Sequence, residues 1–195
     1  NMYLGKNVTG IVGYDNVDKV SYAGSIAGII NGYGNSSMQT TRDIDNYYVV
    51  RNIRINDSVI LGGENVGALF GLMGELTLLK DSHYEVPSQT RYQGAYVSGG
   101  LVGENRGIVQ NCSITTKVED DDTVDKSKSF DNFAKVNGGL VGINVGGLVY
   151  NCTVNIDVCT NVRFATVGGV IGRNVEGSVY NTTLAGGKLK GYYVG

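Results

Sequence analysis

A chain of 195 residues with a single histidine has few ways to do acid–base or metal chemistry. That histidine stands in His83-Tyr84-Glu85, the His-x-Glu spacing of a zinc deaminase, but no Pro-Cys-x-x-Cys follows to complete the metal site. Without a second histidine, neither a His-x-x-x-His pair nor a His-Glu-x-x-His peptidase helix can be assembled. His83 is therefore expected to be a satisfied or exposed loop residue. Asp43 and Asp45, two apart, share one face of a strand, as the paired carboxylates of a glycosidase would. They adjoin a polar stretch in which carboxylates are ordinary, and catalysis by them is not expected. Glu119-Asp120-Asp121-Asp122 with Asp125 could hold Ca²⁺ through carboxylate oxygens. The run lacks the alternating spacing and the Gly of a calcium loop, and Lys126 and Lys128 follow it, so a solvated charge run is expected. No Gly-x-x-x-x-Gly-Lys-Ser/Thr loop is available to cradle phosphate. These residues predict no catalytic group, no metal and no cofactor.

Tyrosine is the residue type that could make contacts instead. Thirteen Tyr accompany no Trp. Tyr33, Tyr47, Tyr48, Tyr84, Tyr92 and Tyr96 fall in or beside two stretches, 31–47 and 81–96, and could form an amphipathic patch for a protein or glycan. The alternative is that they cap a core with their hydroxyls in water. Cysteine supplies little. Cys112 and Cys152 occupy equivalent places of a repeat, where strand spacing of about 4.7–4.9 Å would hold their Cβ atoms slightly beyond disulfide distance. Both are expected to be small buried apolar residues. Six Asn-x-Ser/Thr triplets, at Asn7, Asn35, Asn56, Asn111, Asn151 and Asn181, are read as coincidence, because three of them fall at repeat positions where a glycan would not fit.

What must position these residues is the repeat itself. Its cores are Gly24-Ser25-Ile26-Ala27-Gly28, Gly67-Ala68-Leu69-Phe70-Gly71, Gly99-Gly100-Leu101-Val102-Gly103, Gly138-Gly139-Leu140-Val141-Gly142 and Gly168-Gly169-Val170-Ile171-Gly172. The closing glycines, Gly28, Gly71, Gly103, Gly142 and Gly172, are 43, 32, 39 and 30 residues apart, a period typical of solenoids and propellers. A second half recurs as Val109-Gln110-Asn111-Cys112, Val149-Tyr150-Asn151-Cys152 and Val179-Tyr180-Asn181-Thr182, more loosely as Val50-Arg51-Asn52 and Leu79-Lys80-Asp81. Asn111, Asn151 and Asn181 are expected to stack as a ladder at a bend. The alternating small and large residues of Gly-Gly-Leu-Val-Gly read as a strand. In the Asn-x-Gly that follows, as in Asn105-Arg106-Gly107, Asn and Gly are expected to turn the backbone by adopting positive φ.

Four antiparallel strands of a propeller blade need about 40–45 residues. The shorter spacings leave room for about three strands and their turns, and parallel stacking explains why like residues recur in like places. The expected fold is all-β, a parallel β-solenoid (β-helix) of about five coils with surface insertions and almost no helix. Residues 1–20 would form an N-terminal cap or partial coil. Residues 21–195 would be the solenoid, with copies near 21–57, 58–93, 94–131, 132–162 and 163–190. The end Lys190-Gly191-Tyr192-Tyr193-Val194-Gly195 resembles Gln93-Gly94-Ala95-Tyr96-Val97-Ser98, so the chain is expected to break off as a further copy begins. Thirty glycines, one proline and a formal charge of −2 fit a packed repeat without a basic stripe, so nucleic acid is not an expected partner. No window is apolar enough to span a membrane.

Gly100-Leu101-Val102-Gly103 and Gly139-Leu140-Val141-Gly142, with their trailing Asn-x-Gly and Val-x-Asn-Cys, resemble the GLUG motif. That motif occurs in tandem in bacterial surface and secreted proteins, including adhesins of the filamentous-haemagglutinin type and the non-catalytic part of some immunoglobulin-A metallopeptidases. The resemblance covers about residues 20–185 and departs from the pattern in the first two copies. It implies a non-catalytic repeat domain, extracellular or at the cell surface, that serves as an adhesion or binding scaffold for a host protein or glycan, with further domains in the same chain. Two other readings remain open: a passive spacer or accessory region of a secreted peptidase, and a polysaccharide-processing β-helix.

Overall fold

The computed structural model of the protein describes residues 2–4, 8–11, 22–31, 47–55, 58–61, 64–86, 91–93, 96–116, 129–132 and 134–195. Among them no helix occurs, and 28 short strands stack in parallel into five sheets, a parallel β-solenoid. Sheet I holds Met2–Leu4, Ile53–Ile55, His83–Val86, Ser113–Thr116, Thr153–Asn155 and Thr183–Gly186. Sheet II holds Val8–Ile11, Ser58–Leu61, Arg91–Gln93, Ser129–Asn132, Asp157–Cys159 and Leu189–Lys190. Sheet III holds Tyr22–Ala23, Asn65–Gly67, Val97–Gly99, Val136–Gly138, Thr166–Gly168 and Tyr193–Val194. Sheet IV holds Ala27–Ile30, Phe70–Met73, Val102–Asn105, Val141–Val145 and Ile171–Val175. Sheet V holds Tyr48–Arg51, Thr77–Lys80, Ile108–Gln110, Leu148–Tyr150 and Ser178–Tyr180. Each coil visits the sheets in the order V, I, II, III, IV before rising to the next.

A coil therefore has five strands, not the three expected, and the reason lies in the Gly-rich core. Gly-Gly-Leu-Val-Gly is not a strand but a corner. Sheet III ends at Gly99, Gly100 and Leu101 bend, and sheet IV begins at Val102. The carbonyl of Val102 folds back onto Gly99, so a Cβ there would have no room. The Leu at the bend points inward: Leu69, Leu101 and Leu140 are fully buried, one above another. The alternating run Val154-Asn155-Ile156-Asp157-Val158 is likewise broken, with Ile156 buried at a corner between sheets I and II. Ser129–Asn132, beyond the charged run, is a strand of sheet II.

All five Gly cores fall into register. Ala23 pairs with Val66 and Ala27 with Phe70, which sets Gly24 level with Gly67 and Gly28 level with Gly71. Gly67, Gly99, Gly138 and Gly168 then follow one another directly. At the chain's end, Tyr193 is level with Thr166, Val136 and Val97, one place from the alignment expected by resemblance to Tyr96.

The corner between sheets V and I is built by the second half of the repeat. Asn52, Asp81, Asn111, Asn151 and Asn181 all take left-handed backbone, with φ of 57°, 51°, 51°, 53° and 47°. Asn and Asp tolerate this region because their short side chains can bond locally. The loosely matching Asn52 and Asp81 are thus equivalents of the later Asn. The ladder is real but interrupted in what it bonds: Asn111 Nδ2 donates to Asp81 Oδ1 at 3.1 Å and Asn181 Nδ2 to Asn151 Oδ1 at 2.5 Å. These Asn are exposed, so steric exclusion is not what keeps a glycan from them.

Inside, columns of apolar side chains follow the register. Ile55, Tyr84, Ile114 and Val154 form one, Phe70, Val102 and Val141 another, and Leu79, Val109 and Val149 a third, each fully or nearly fully buried. Removing a Leu or Ile of this kind from water contributes about 1.5–3 kcal/mol. The columns are continuous because parallel strands place identical positions one strand spacing apart.

Candidate interaction surface

The six tyrosines do not form one patch. Tyr84 is fully buried, between Ile55 and Ile114 in a core column, because alternation along His83–Val86 turns it inward with Val86. Tyr33 lies outside the described residues. Tyr92 sits in the sheet II strand Arg91–Gln93, of which only the backbone is described. Tyr47 is half-buried, and Tyr48, 57% exposed, opens the first strand of sheet V. Tyr96, 40% exposed, stands at the corner between sheets II and III in the next coil. Around the perimeter, sheets III and IV separate Tyr96 from Tyr48. At the first coil Tyr48 and Val49 and, on the other side of residues 32–46 in sequence, Ile29 are all largely exposed.

His83 is a strand residue rather than a loop one. Its Nδ1 lies 2.6 Å from Ser113 Oγ of the next coil, and its Nε2 lies 3.6 Å from Glu85 Oε1. The connectivity is that of a nucleophile, base and orienting carboxylate. The setting is not. These side chains stand on the outer face of sheet I, whose neighbouring backbone N–H groups are engaged in the parallel ladder and not gathered to receive an oxyanion. His83, Glu85 and Ser113 make a cross-strand polar cluster. Asp43, Asp45, Glu119–Asp122 and Asp125 lie outside the described residues. Among the described residues no group of three His, Cys, Asp or Glu is placed to hold a metal ion.

Two polar features of the site were not anticipated. On sheets III and IV, Glu104 accepts from Asn65 Nδ2 at 2.9 Å and from Arg106 Nε at 2.7 Å. The hydrogen bond from Arg106 to Glu104 raises the Arg106 pKa, and burial followed by the Glu104 charge raises that of the half-buried Tyr22. The carboxylate is tied into this network, not presented to solvent as a lone acid. On sheet V, Tyr150 and Tyr180 stack with ring centroids 5.1 Å apart and planes 18° from parallel. Their shared place in Val-Tyr-Asn was the available signal.

A second Asn ladder links the last three strands of sheet IV, buried at Asn105 and Asn144 and exposed at Asn174. Asn105 Nδ2 donates to Asn144 Oδ1 and Asn144 Nδ2 to Asn174 Oδ1, each at 2.8 Å. Each amide also closes its own turn, as Asn144 Nδ2 to Gly147 O at 3.0 Å and Asn174 Nδ2 to Gly177 O at 2.8 Å. These Asn lie in the sheet IV strands, at or one residue before their ends, in ordinary backbone; the positive φ expected of them belongs instead to Gly146 and Glu176 in the turn. In the first two coils the same positions are Ile30 and Met73.

Cys112 and Cys152 are buried thiols stacked one coil apart, level with Ser82 and Thr182. Cys112 Sγ lies 3.2 Å from Gln110 O, and Cys152 Sγ lies 3.2 Å from Tyr150 O. Burial, with Cys152 as hydrogen-bonding neighbour, pushes the Cys112 thiol well above its ordinary value. Thiolate is the reactive form. Iodoacetamide at pH 8 is therefore expected to leave Cys112 unmodified in the native protein while the half-buried Cys159 reacts. Mass spectrometry should find all three modified only after unfolding, and native labelling of Cys112 would contradict the packing.

These features define the class: a parallel β-solenoid repeat protein whose recurring positions build corners and core. A scan against protein-family models gives no match, and a search of curated proteins finds no significant relative.

Proposed function

We propose that the chain is a non-catalytic binding scaffold of a bacterial surface or secreted protein, in which the solenoid holds contact loops for a host protein or glycan. The observation that carries this is at the first coil. Ile29 is 54%, Tyr48 57% and Val49 47% exposed, on either side of residues 32–46, so the base of that insertion is an apolar and aromatic surface. Aromatic side chains that keep a polar tip are the type enriched at interfaces. The recurring Gly-Gly-Leu-Val-Gly and Val-x-Asn-Cys resemble GLUG repeats, which supports an extracellular setting. A spacer role is the second reading, supported by the regular coils.

Deleting residues 32–46 tests it. The deletion leaves Asn31 and Tyr47 to join Ile30 to Tyr48, where the second coil uses three residues between Met73 and Thr77. The shortened chain should keep its β circular dichroism and lose a reproducible signal that the full chain gives on an array of glycans and host extracellular proteins. Silence from both forms would overturn the contact-loop reading in favour of the spacer.

A further inference from the structure

A different corner of the solenoid carries an aromatic and cationic strip. Between sheets II and III the chain places Tyr96, Lys135, Ala165 and Tyr192 at one level in successive coils. The ladder records it: Val136 N donates to Tyr96 O at 2.9 Å, Thr166 N to Lys135 O at 2.8 Å and Tyr193 N to Ala165 O at 3.0 Å. Beside Ala165, Phe164 is 56% exposed and has a φ of 61°. A bulky residue in that region is strained, and such strain is retained mainly where surrounding structure or function demands it. Here it turns the ring outward. The Phe164 ring lies 4.8 Å from that of Tyr192, which lies 4.9 Å from that of Tyr193. Arg163 Cζ stands 5.1 Å above the Phe164 ring. Tyr192 and Tyr193 are each 56% exposed.

Charge is concentrated in the same region. Residues 134–195 contain Lys135, Arg163, Arg173, Lys188 and Lys190 against only Asp157 and Glu176, in a chain whose overall formal charge is −2. Lys135, Arg163, Lys188 and Lys190 are exposed and lie on or beside sheet II. Asp157 is occupied, its Oδ1 accepting the Lys188 backbone N–H at 2.6 Å, and Glu176 sits at another corner, between sheets IV and V.

We propose that this corner binds an anionic polysaccharide whose uronic-acid units lie along the solenoid axis. Exposed rings accept the apolar C–H face of a sugar, and the guanidinium of Arg163 presents a fork suited to a carboxylate. The axial arrangement follows from spacing: rungs of the solenoid recur every 4.7–4.9 Å or so, close to the advance of one sugar in an extended chain. Tyr96, Lys135, Arg163 with Phe164, and Tyr192 then meet successive units. Rings with cations also suit single-stranded nucleic acid, but that requires a basic groove along the backbone, and this chain is acidic outside its last coils. The proposal uses none of the residues at the base of the 32–46 insertion, so the two surfaces stand or fall separately.

The test is titration calorimetry on the full chain with hexagalacturonate, cellohexaose and a short oligothymidylate. Hexagalacturonate should bind about tenfold tighter than cellohexaose, and more weakly as salt rises. Phe164→Gly and Tyr192→Ala should each weaken it about tenfold. Glycine adopts the φ of residue 164 without strain, so the first variant removes the ring and spares the turn. Arg163→Gln should reduce the preference for the acidic sugar and leave cellohexaose affinity unchanged. Deleting residues 32–46 should change neither. The proposal is overturned if hexagalacturonate gives no heat, if both ring variants bind it as the parent does, or if oligothymidylate binds more tightly.

Discussion

Asn144→Ala is expected to destabilise the protein by about 3–4 kcal/mol, from the loss of three side-chain hydrogen bonds at about 1 kcal/mol each and the void left behind. Asn144 is fully buried, accepts from Asn105 at 2.8 Å, and donates to Gly147 O at 3.0 Å and to Asn174 Oδ1 at 2.8 Å. Alanine removes all three bonds and leaves a void at a buried position. The comparison that makes the experiment decisive is Asn174→Ala. Asn174 makes the same turn bond to Gly177 at 2.8 Å but is exposed, so water can satisfy what the mutation frees. Its loss should cost about 1 kcal/mol. Urea unfolding followed by circular dichroism measures both. Equal costs would mean that the interior amide ladder contributes nothing beyond its separate turns.

A similar contrast exists at the motif glycines, and its expected effect is nearly as large. A Cβ on Gly139 would fall on the carbonyl oxygen of Gly169 in the next coil, well inside contact, and would lie 2.9 Å from Val154 Cγ1. Backbone cannot yield without separating the coils. Gly139→Ala is expected to cost about 3 kcal/mol, at the upper end of overpacking, lowering Tm by about 10 °C. At Gly169 the atoms nearest the same motif position belong to the side chain of Leu184, the first at 2.6 Å, and Leu184 is 41% exposed. That side chain can rotate away, so Gly169→Ala should cost about 1 kcal/mol or less. Scanning calorimetry of the two variants compares them directly. If Gly139→Ala melted with the parent, the coils would not be as closely apposed as the structure has them.

These two experiments touch the part of the molecule that its sequence announced most clearly. The five Gly cores and the trailing Asn are visible as a repeat because parallel coils impose the same environment at the same height. That relation also fixed which residues pair: Gly67, Gly99, Gly138 and Gly168 were aligned by type and are aligned by hydrogen bonds. The number of strands per coil was not legible. Corners such as Gly100-Leu101 and Ile156 put apolar side chains inward at the bend, so no polar turn residue marks them. Two recurring Asn positions looked alike in sequence. Only the fold separates the exposed left-handed set, Asn111, Asn151 and Asn181, from the set in ordinary backbone, Asn105, Asn144 and Asn174, of which the first two are buried.

The surface was harder to read, for an instructive reason. Tyr84 was grouped with contact residues on composition, although the alternation His83-Tyr84-Glu85-Val86 already placed it with Val86 on one face. The exposed rings of Phe164 and Tyr192 meet across a corner from positions 28 residues apart, and a positive φ at Phe164 brings them together. Neither spacing nor residue type encodes such a meeting. The same holds for His83 and Ser113, which are neighbours only because one coil lies on the next.

The register carries one more consequence. Ile143 is level with Arg173, Asn144 with Asn174 and Leu148 with Ser178, so the backbone leaving Gly142 and the backbone leaving Gly172 follow the same path. A gene segment encoding one such unit can be gained or lost by unequal recombination, and both sides of the new junction still fit. A change of length by one whole unit therefore keeps the strands on either side of it in register.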